Sequence, residues 1–242
     1  MGSFVHLHVH SEFSLLDGLS RLPDLCQSAA DSGMTALALT DHGAMYGMIK
    51  FSHAARAAGI KPIYGCEIYQ AARGMDQRDP QKDRRAYHLV LLAENQVGYQ
   101  NLMELVTRAH LDGFYYKPRV DKEMLAQHAE GLICLSACIS GIVPALIQDG
   151  QLDQARREAA WYRDVFGPGR YYLELQRHQG IPGLDTINAQ LVSLSRELDI
   201  PLVATNDVHY VHKEDARIQE LLLAIQTQTT LTDPSRMRMG SE

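Results

Sequence analysis

FVHLHVHSEFSLLDG, residues 4–18, decides the reading of the fold: an apolar run with histidine at every second position through His10, closing in a polar loop that carries Asp17. Positions two apart on a strand share a face, so His8 and His10 would present both imidazoles to one side. The same signature, an Asp and a His at the carboxyl end of an apolar run, recurs as Asp41 and His42 after TALALT (35–40) and as Asp207 and His209 after IPLVAT (200–205). Strand ends in a parallel barrel bring distant segments onto one face. A single H-x-H is common on ordinary strands, but three such pairs at three strand ends read as a multinuclear metal site.

Outward from these pairs, strand-like and helix-like segments alternate along all 242 residues, the pattern of β/α units around a parallel sheet or barrel. Apolar runs predict strands at 4–9, 35–40, 60–68, 87–93, 131–136, 170–175 and 201–205. Helices are predicted near 21–32, 45–58, 96–110, 121–128, 142–165 with a break at Gly150, 183–199 and 212–228. Gly33, Gly59 and Gly131 stand where a helix must stop before the next strand. The expectation is an α/β fold, a distorted seven-stranded barrel with its metal cluster at the carboxyl ends of the strands. One domain spans 1–228, and TTLTDPSRMRMGSE (229–242) forms a tail without an apolar period.

With 45% hydrophobic and 21% charged residues, the chain can bury a full core. Its longest apolar stretch, GLICLSACISGIVPALI (131–147), is broken by Gly, Ser and Pro and is too short to span a bilayer, and no signal-peptide pattern is read. Cys26, Cys66, Cys134 and Cys138 show no secreted framework and are expected as free thiols or ligands in a reducing, cytoplasmic setting. The net charge of −6 argues against a broad basic surface for nucleic acid. Divalent ions gathered in one cleft would nevertheless offset that charge locally and can draw an anionic substrate.

Other residues are open to two readings. Glu67, closing KPIYGCE (61–67), is the natural bridge between two ions, because a carboxylate can bind two where a histidine binds one. Asp17 is either a ligand on the loop after the first strand or an acid at a helix N-terminus. Cys138, after GLICLS, is either a thiolate ligand or a small buried hydrophobe. His88 opens the run YHLVLLA (87–93), the wrong end of a parallel barrel, so pattern alone leaves it out. His178, past the sixth strand, and Lys117 and Arg119, in GFYYKPRVD (113–121), are candidates for substrate phosphate, although such a turn is as often a packed connector. AARGMDQRDPQKDRR (71–85) reads as an exposed, mobile loop. No Ser-His-Asp order, Gly-rich phosphate loop or dinucleotide fingerprint competes with metal-assisted hydrolysis.

Together FVHLHVHSEFSLLDG, LTDHGAMYG, KPIYGCEIY, YHLVLLAENQVGYQNL, GFYYKPRVD and ATNDVHY resemble the polymerase and histidinol phosphatase (PHP) family over essentially the whole chain. Within it they are similar to the amino-terminal domains of bacterial replicative DNA polymerases. The resemblance implies a distorted seven-stranded β/α barrel holding two or three divalent metal ions. It implies His8, His10, Glu67 and Asp207 around the first ion, Glu67, His88 and Cys138 around the second, and Asp17, His42 and His209 around the third. His88 and Cys138 are thereby restored to the site, with the departure that many family phosphatases carry histidine where Cys138 stands.

The implied activity is that of a metal-dependent phosphodiesterase, a 3′-to-5′ proofreading exonuclease on a DNA 3′ end, with Glu67, His42, Asp207 and His209 at the reacting centre. Zinc, manganese or iron all suit the donor set. The implied partners are DNA, the rest of a polymerase chain toward which 229–242 would lead, and a separate proofreading exonuclease subunit, in the bacterial cytoplasm and not at a membrane. Two further readings stay open: a catalytically silent docking module, and a phosphomonoesterase of the histidinol-phosphate type.

Overall fold

Seven strands make one curled sheet in the computed structural model, which describes residues 4–15, 17–178 and 180–239. They are β1 (Ala36–Leu39), β2 (Lys61–Ala71), β3 (Ala86–Ala93), β4 (Arg119–Val120), β5 (Leu132–Leu135), β6 (Tyr171–Gln176) and β7 (Leu202–Thr205). The order is β1-β2-β3-β5-β6-β7, with the short β4 paired to β2. Helix α1 (Leu22–Asp31) precedes β1, and α2 (Met48–Ala57), α3 (Gln96–Leu111), α4 (Lys122–Gln127), α5 (Ile142–Gln148), α6 (Leu152–Phe166) and α7 (Leu184–Leu198) lie between strands. After a 3-10 turn at Lys213–Asp215, α8 (Ala216–Gln226) follows.

Two expectations need correction. β3 runs antiparallel to both β2 and β5, so the sheet is mixed and not a ring of parallel units. Residues 4–9 do not form a regular strand, and β4 takes the seventh place in the sheet. The segment still links the two edges of the sheet: Ala38 N donates to His6 O and Thr40 N to Val9 O on the β1 side, while His10 N donates to Val208 O and Val208 N to His8 O beyond β7. Val9 N donates to the Thr40 hydroxyl in place of a carbonyl, and that intrusion interrupts the ladder.

Alternation along the strands sorts side chains into layers. Leu37 and Leu39 pack outward beneath α1 and α2 with Leu22, Leu25 and Phe51, and Leu89 and Leu91 pack outward on Leu102 and Leu105 of α3. Ala38, Val90, Leu92 and Leu135 form the apolar filling on the other face. Glu67 pairs in register with Val90, and Tyr69 with His88, so the same inward face turns polar at one end. Because β3 is reversed, the start of its run lies at the carboxyl end of its neighbours, which carries His88 to the face from which a parallel barrel would exclude it.

Two non-glycine residues with left-handed backbone flank this end: Ala137 (φ 61°), just before Cys138, and Asp207 (φ 49°). Such conformations cost on the order of 1 kcal/mol or more and persist where the surroundings hold them.

Arg119 is fully buried and is corrected from substrate contact to scaffold. Its guanidinium donates to the carbonyl oxygens of Gly113, Asp83, Met75 and Gln77 at 3.0–3.1 Å. The expected mobile loop after Ala71 is therefore built around this one side chain, with buried Asp83 also pairing Arg73 at 2.6 Å. Part of the expected tail folds back, Arg236 pairing Glu220 of α8 at 2.8 Å, and 240–242 lie outside the described residues. Arg119→Met leaves several carbonyls without donors and is expected to lower stability by about 2–4 kcal/mol. Urea unfolding checks this, with metal content at the parent value.

Candidate metal centre

The polar end of the sheet, its loops together with β2 and β3, brings together all nine residues expected as ligands. His8 Nε2 lies 3.2 Å from Glu67 Oε1 and 3.3 Å from Asp207 Oδ1, and His10 Nε2 lies 3.2 Å from Asp207 Oδ1. His88 Nδ1 is 2.8 Å from Glu67 Oε1, while His42 reaches Glu67 Oε2 through Nδ1 at 2.6 Å and Asp17 Oδ2 through Nε2 at 3.1 Å. The His209 ring stacks on His10 with centroids 4.4 Å apart. Cys138 Sγ stands 3.8 Å from His88 Nδ1.

The grouping differs in detail from the expected one. Ligand atoms cluster as His8, His10 and Asp207, as His42, Glu67 and His88, and as His10, His42 and His209, so His10 and His42 are each shared between clusters.

Hydrogen bonds fix which imidazole nitrogen faces the cluster. His8 Nδ1 sits 2.7 Å from the buried carboxylate of Glu174, which also accepts from Gln176 Nε2 and the Thr205 hydroxyl. His10 Nδ1 sits 3.0 Å from Ser14 Oγ, whose own proton goes to Asp41 Oδ1 at 2.7 Å, so the hydroxyl accepts from the imidazole. His209 Nδ1 donates to Asp207 O at 2.8 Å. In all three Nδ1 is engaged away from the cluster, so Nε2 is the nitrogen turned inward.

Those three Nε2 atoms, with His42 Nδ1, Asp17 Oδ1, Glu67 Oε2 and Asp207 Oδ1, are buried without a hydrogen-bond partner among the described residues. A lone pair about 3.2 Å from a carboxylate oxygen is repelled unless a proton or a cation stands between them. The donor set of imidazole, carboxylate and thiol therefore fits divalent transition metals.

Charge is redistributed accordingly. Burial opposes ionisation of Glu67, Asp207 and Asp17, yet the surrounding histidines, His42 above all for Asp17, hold all three carboxyls below their usual range. Burial likewise disfavours a charged His42, but Glu67 and Asp17 raise it to about 10, and His8 rises well above its usual value beside Asp207, Glu174 and Glu67. His10 falls to about 3 through burial and the neighbouring His42 and His209, and burial pushes the Cys138 thiol up.

Sequence reasoning missed the supports. Glu174 was signalled only as a carboxylate amid the apolar run YYLEL. Asp41, read there as half of a metal pair, is instead buried against Ser11 and Ser14, and its carboxylate meets the centre through Ser14, which contacts both His10 Nδ1 and the His42 N–H. Asp17 is held from α8, where Gln219 donates to its carbonyl and Gln226 to its carboxylate, both at 3.2 Å. Lys117 and His178 line the cleft above the cluster.

A family model described as the PHP domain matches residues 6–178. The chain belongs to the PHP domain family. Asp207 and His209 lie beyond the matched span of this PHP domain. DNA polymerase III subunit alpha of Borreliella burgdorferi is 47% identical over 238 residues, 98% of this chain and 20% of that one. The Treponema pallidum subunit of the same description is 48% identical over 241 residues, 99% of this chain and 20% of its own. The chain thus spans about a fifth of the length of these relatives. A solved structure described as a metal-dependent phosphoesterase of Bifidobacterium adolescentis shares the fold with a TM-score of 0.56 at 15% identity, over 86% of this chain and 88% of that one.

Two outcomes are expected for this centre. Glu174→Gln should weaken zinc binding by about tenfold, since groups that orient a metal-bound histidine are worth about 10–100-fold in affinity, and competition with a chromophoric chelator measures it. His8 and His42 hold protons without metal, so binding must displace them. Apparent affinity should fall as pH drops below about 10, with protons released into weakly buffered solution on loading.

Proposed function

We propose that this PHP domain is the amino-terminal part of a bacterial DNA polymerase III subunit alpha and that its cleft hydrolyses phosphodiesters, removing nucleotides from a DNA 3′ end. The observation that carries this reading is the set of buried, partnerless ligand atoms converging from the 6–10 segment, the loops after β1, β5 and β7, and β2 and β3. A carboxylate with two oxygens among four imidazoles suits two or three adjacent cations, and no position of the implied ligand set is missing. The relatives named above supply the polymerase context.

His8, His10, Glu67 and Asp207 would hold one ion, Glu67, His88 and Cys138 a second, and Asp17, His42 and His209 a third, with zinc, manganese or iron compatible. When bound, such ions lower the pKa of water and neutralise charge developing on phosphate oxygens. Glu67 would serve as the bridge, and burial fixes its two oxygens toward different sides of the cluster, Oε1 toward His8 and His88 and Oε2 toward His10 and His42. Glu174, Ser14 and the Asp207 carbonyl keep the three Nδ1–H groups occupied, so the rings cannot turn. Lys117 and His178, on the wall, would orient the phosphate ester, and with His8, His10 and Glu67 buried a terminal nucleotide would have to leave a duplex before its phosphate arrives. A proofreading exonuclease subunit remains a partner in this reading, as does the rest of the polymerase chain.

At equal metal occupancy, a single-stranded or frayed 3′ DNA end should be shortened stepwise, a paired end more slowly, and histidinol phosphate poorly. Monoester turnover exceeding DNA cleavage by orders of magnitude would establish the phosphatase reading instead, and loss of both the docking one. Glu67→Ala should abolish hydrolysis more completely than loss of any ligand serving one ion, with melting temperature followed in parallel.

A further inference from the structure

The cleft over the cluster encloses about 750 Å³, and its charged lining divides by depth. The acids that line it are Asp17 and Asp207, both in the ligand constellation. Every other charged side chain on its wall, setting the histidines aside, is a cation: Lys117, Arg177, Lys213 and Arg238, all exposed. They arrive from four separate segments, before β4, after β6, in the 3-10 turn and beyond α8. None of the four makes an ion pair among the described residues, so each is free to meet an anion in the cleft. In a chain of net charge −6 this is a local inversion of sign around one opening.

Lys117 ties the rim to the floor. Its ammonium lies 5.1 Å from the Tyr69 ring centroid, and that ring stands 5.2 Å from His88 and 6.0 Å from His42. Ile139, Ile181 and Met237 line the same mouth and offer apolar surface between the charges. A phosphomonoester has one phosphate, which the floor would hold, and leaves such a rim nothing to bind.

We propose that Arg177, Lys213 and Arg238 form a track for the non-scissile phosphates of a single-stranded polynucleotide, leading outward from Lys117 at the cluster and setting the preference for a chain over a small ester. The track rests on the phosphodiesterase reading. It explains how an acidic protein grips nucleic acid: the contact is confined to a few cations whose counter-charge is the substrate itself.

The test uses the zinc-loaded protein and a fluorescent oligothymidylate, with anisotropy read across a salt series and a chelator-treated sample in parallel. Each phosphate contact contributes about 0.7 to the slope of log K against log salt for a single strand. The triple variant Arg177→Gln, Lys213→Gln, Arg238→Gln should therefore lose about two units of slope and bind at least tenfold more weakly, with metal content unchanged. Should the triple variant fold poorly, each single variant should lose about 0.7. An unchanged slope, or no oligonucleotide binding by the parent, overturns the track. Hydrolysis of bis(p-nitrophenyl) phosphate separates the two ideas. A parent that cleaves this diester but binds no strand overturns the track alone, whereas one that binds strand through these cations and cleaves nothing overturns the phosphodiesterase reading.

Discussion

The Glu67 carboxylate has no solvent contact and lies among His8, His10, His42 and His88, and an ionised group so placed costs several kcal/mol unless positive charge compensates it. Without metal, protons on His8 and His42 supply part of that charge. They cannot balance the whole cluster, because Glu67, Asp207 and Asp17 are all held ionised while His10, crowded by His42 and His209, stays neutral down to about 3. The cluster is thus short of cations by construction, and metal ions would satisfy both the carboxylates and the bare imidazole nitrogens.

The rest of the architecture holds this arrangement in place. The reversed direction of β3 brings His88 beside Glu67, and the 6–10 segment, bonded to β1 on one side and to Val208 on the other, sets His8 and His10 between the sheet edges. Left-handed backbone at Ala137 and Asp207 turns the chain sharply at two loop mouths. Beneath the polar layer, Val90, Leu92 and Leu135 form a buried apolar floor, a low-dielectric surround that strengthens the electrostatic contacts above it. Orientation comes from a further shell, Glu174 and Asp41, whose charges never face the cleft directly.

Much of this was legible in the sequence because strand alternation is a local property: HLHVH, TDH and NDVH announce where side chains point without knowledge of the partner strands. Direction is not local. Nothing in YHLVLLA says that the strand runs against its neighbours, so pattern placed His88 at the wrong end and only family resemblance brought it back. Arg119 shows the converse failure. A basic residue beside tyrosines looks like a phosphate contact, but the carbonyls it binds come from residues 75, 77, 83 and 113, a meeting set by the tertiary fold. Asp41 and His42 are adjacent in sequence, yet β1 ends just before them and the chain turns, so one faces the serines and the other the cluster.

The central claim, that Glu67 bridges cations held by the bare Nε2 atoms of His8 and His10, is open to direct observation. Anomalous diffraction above and below the zinc or manganese edge, from crystals of the metal-loaded protein, should give at least two peaks a few ångströms apart. One should lie about 2.0–2.2 Å from Nε2 of His8 and of His10, and each of the two should touch one oxygen of Glu67. A loaded crystal with a single peak that does not touch Glu67, or with imidazoles turned to present Nδ1, would contradict the account.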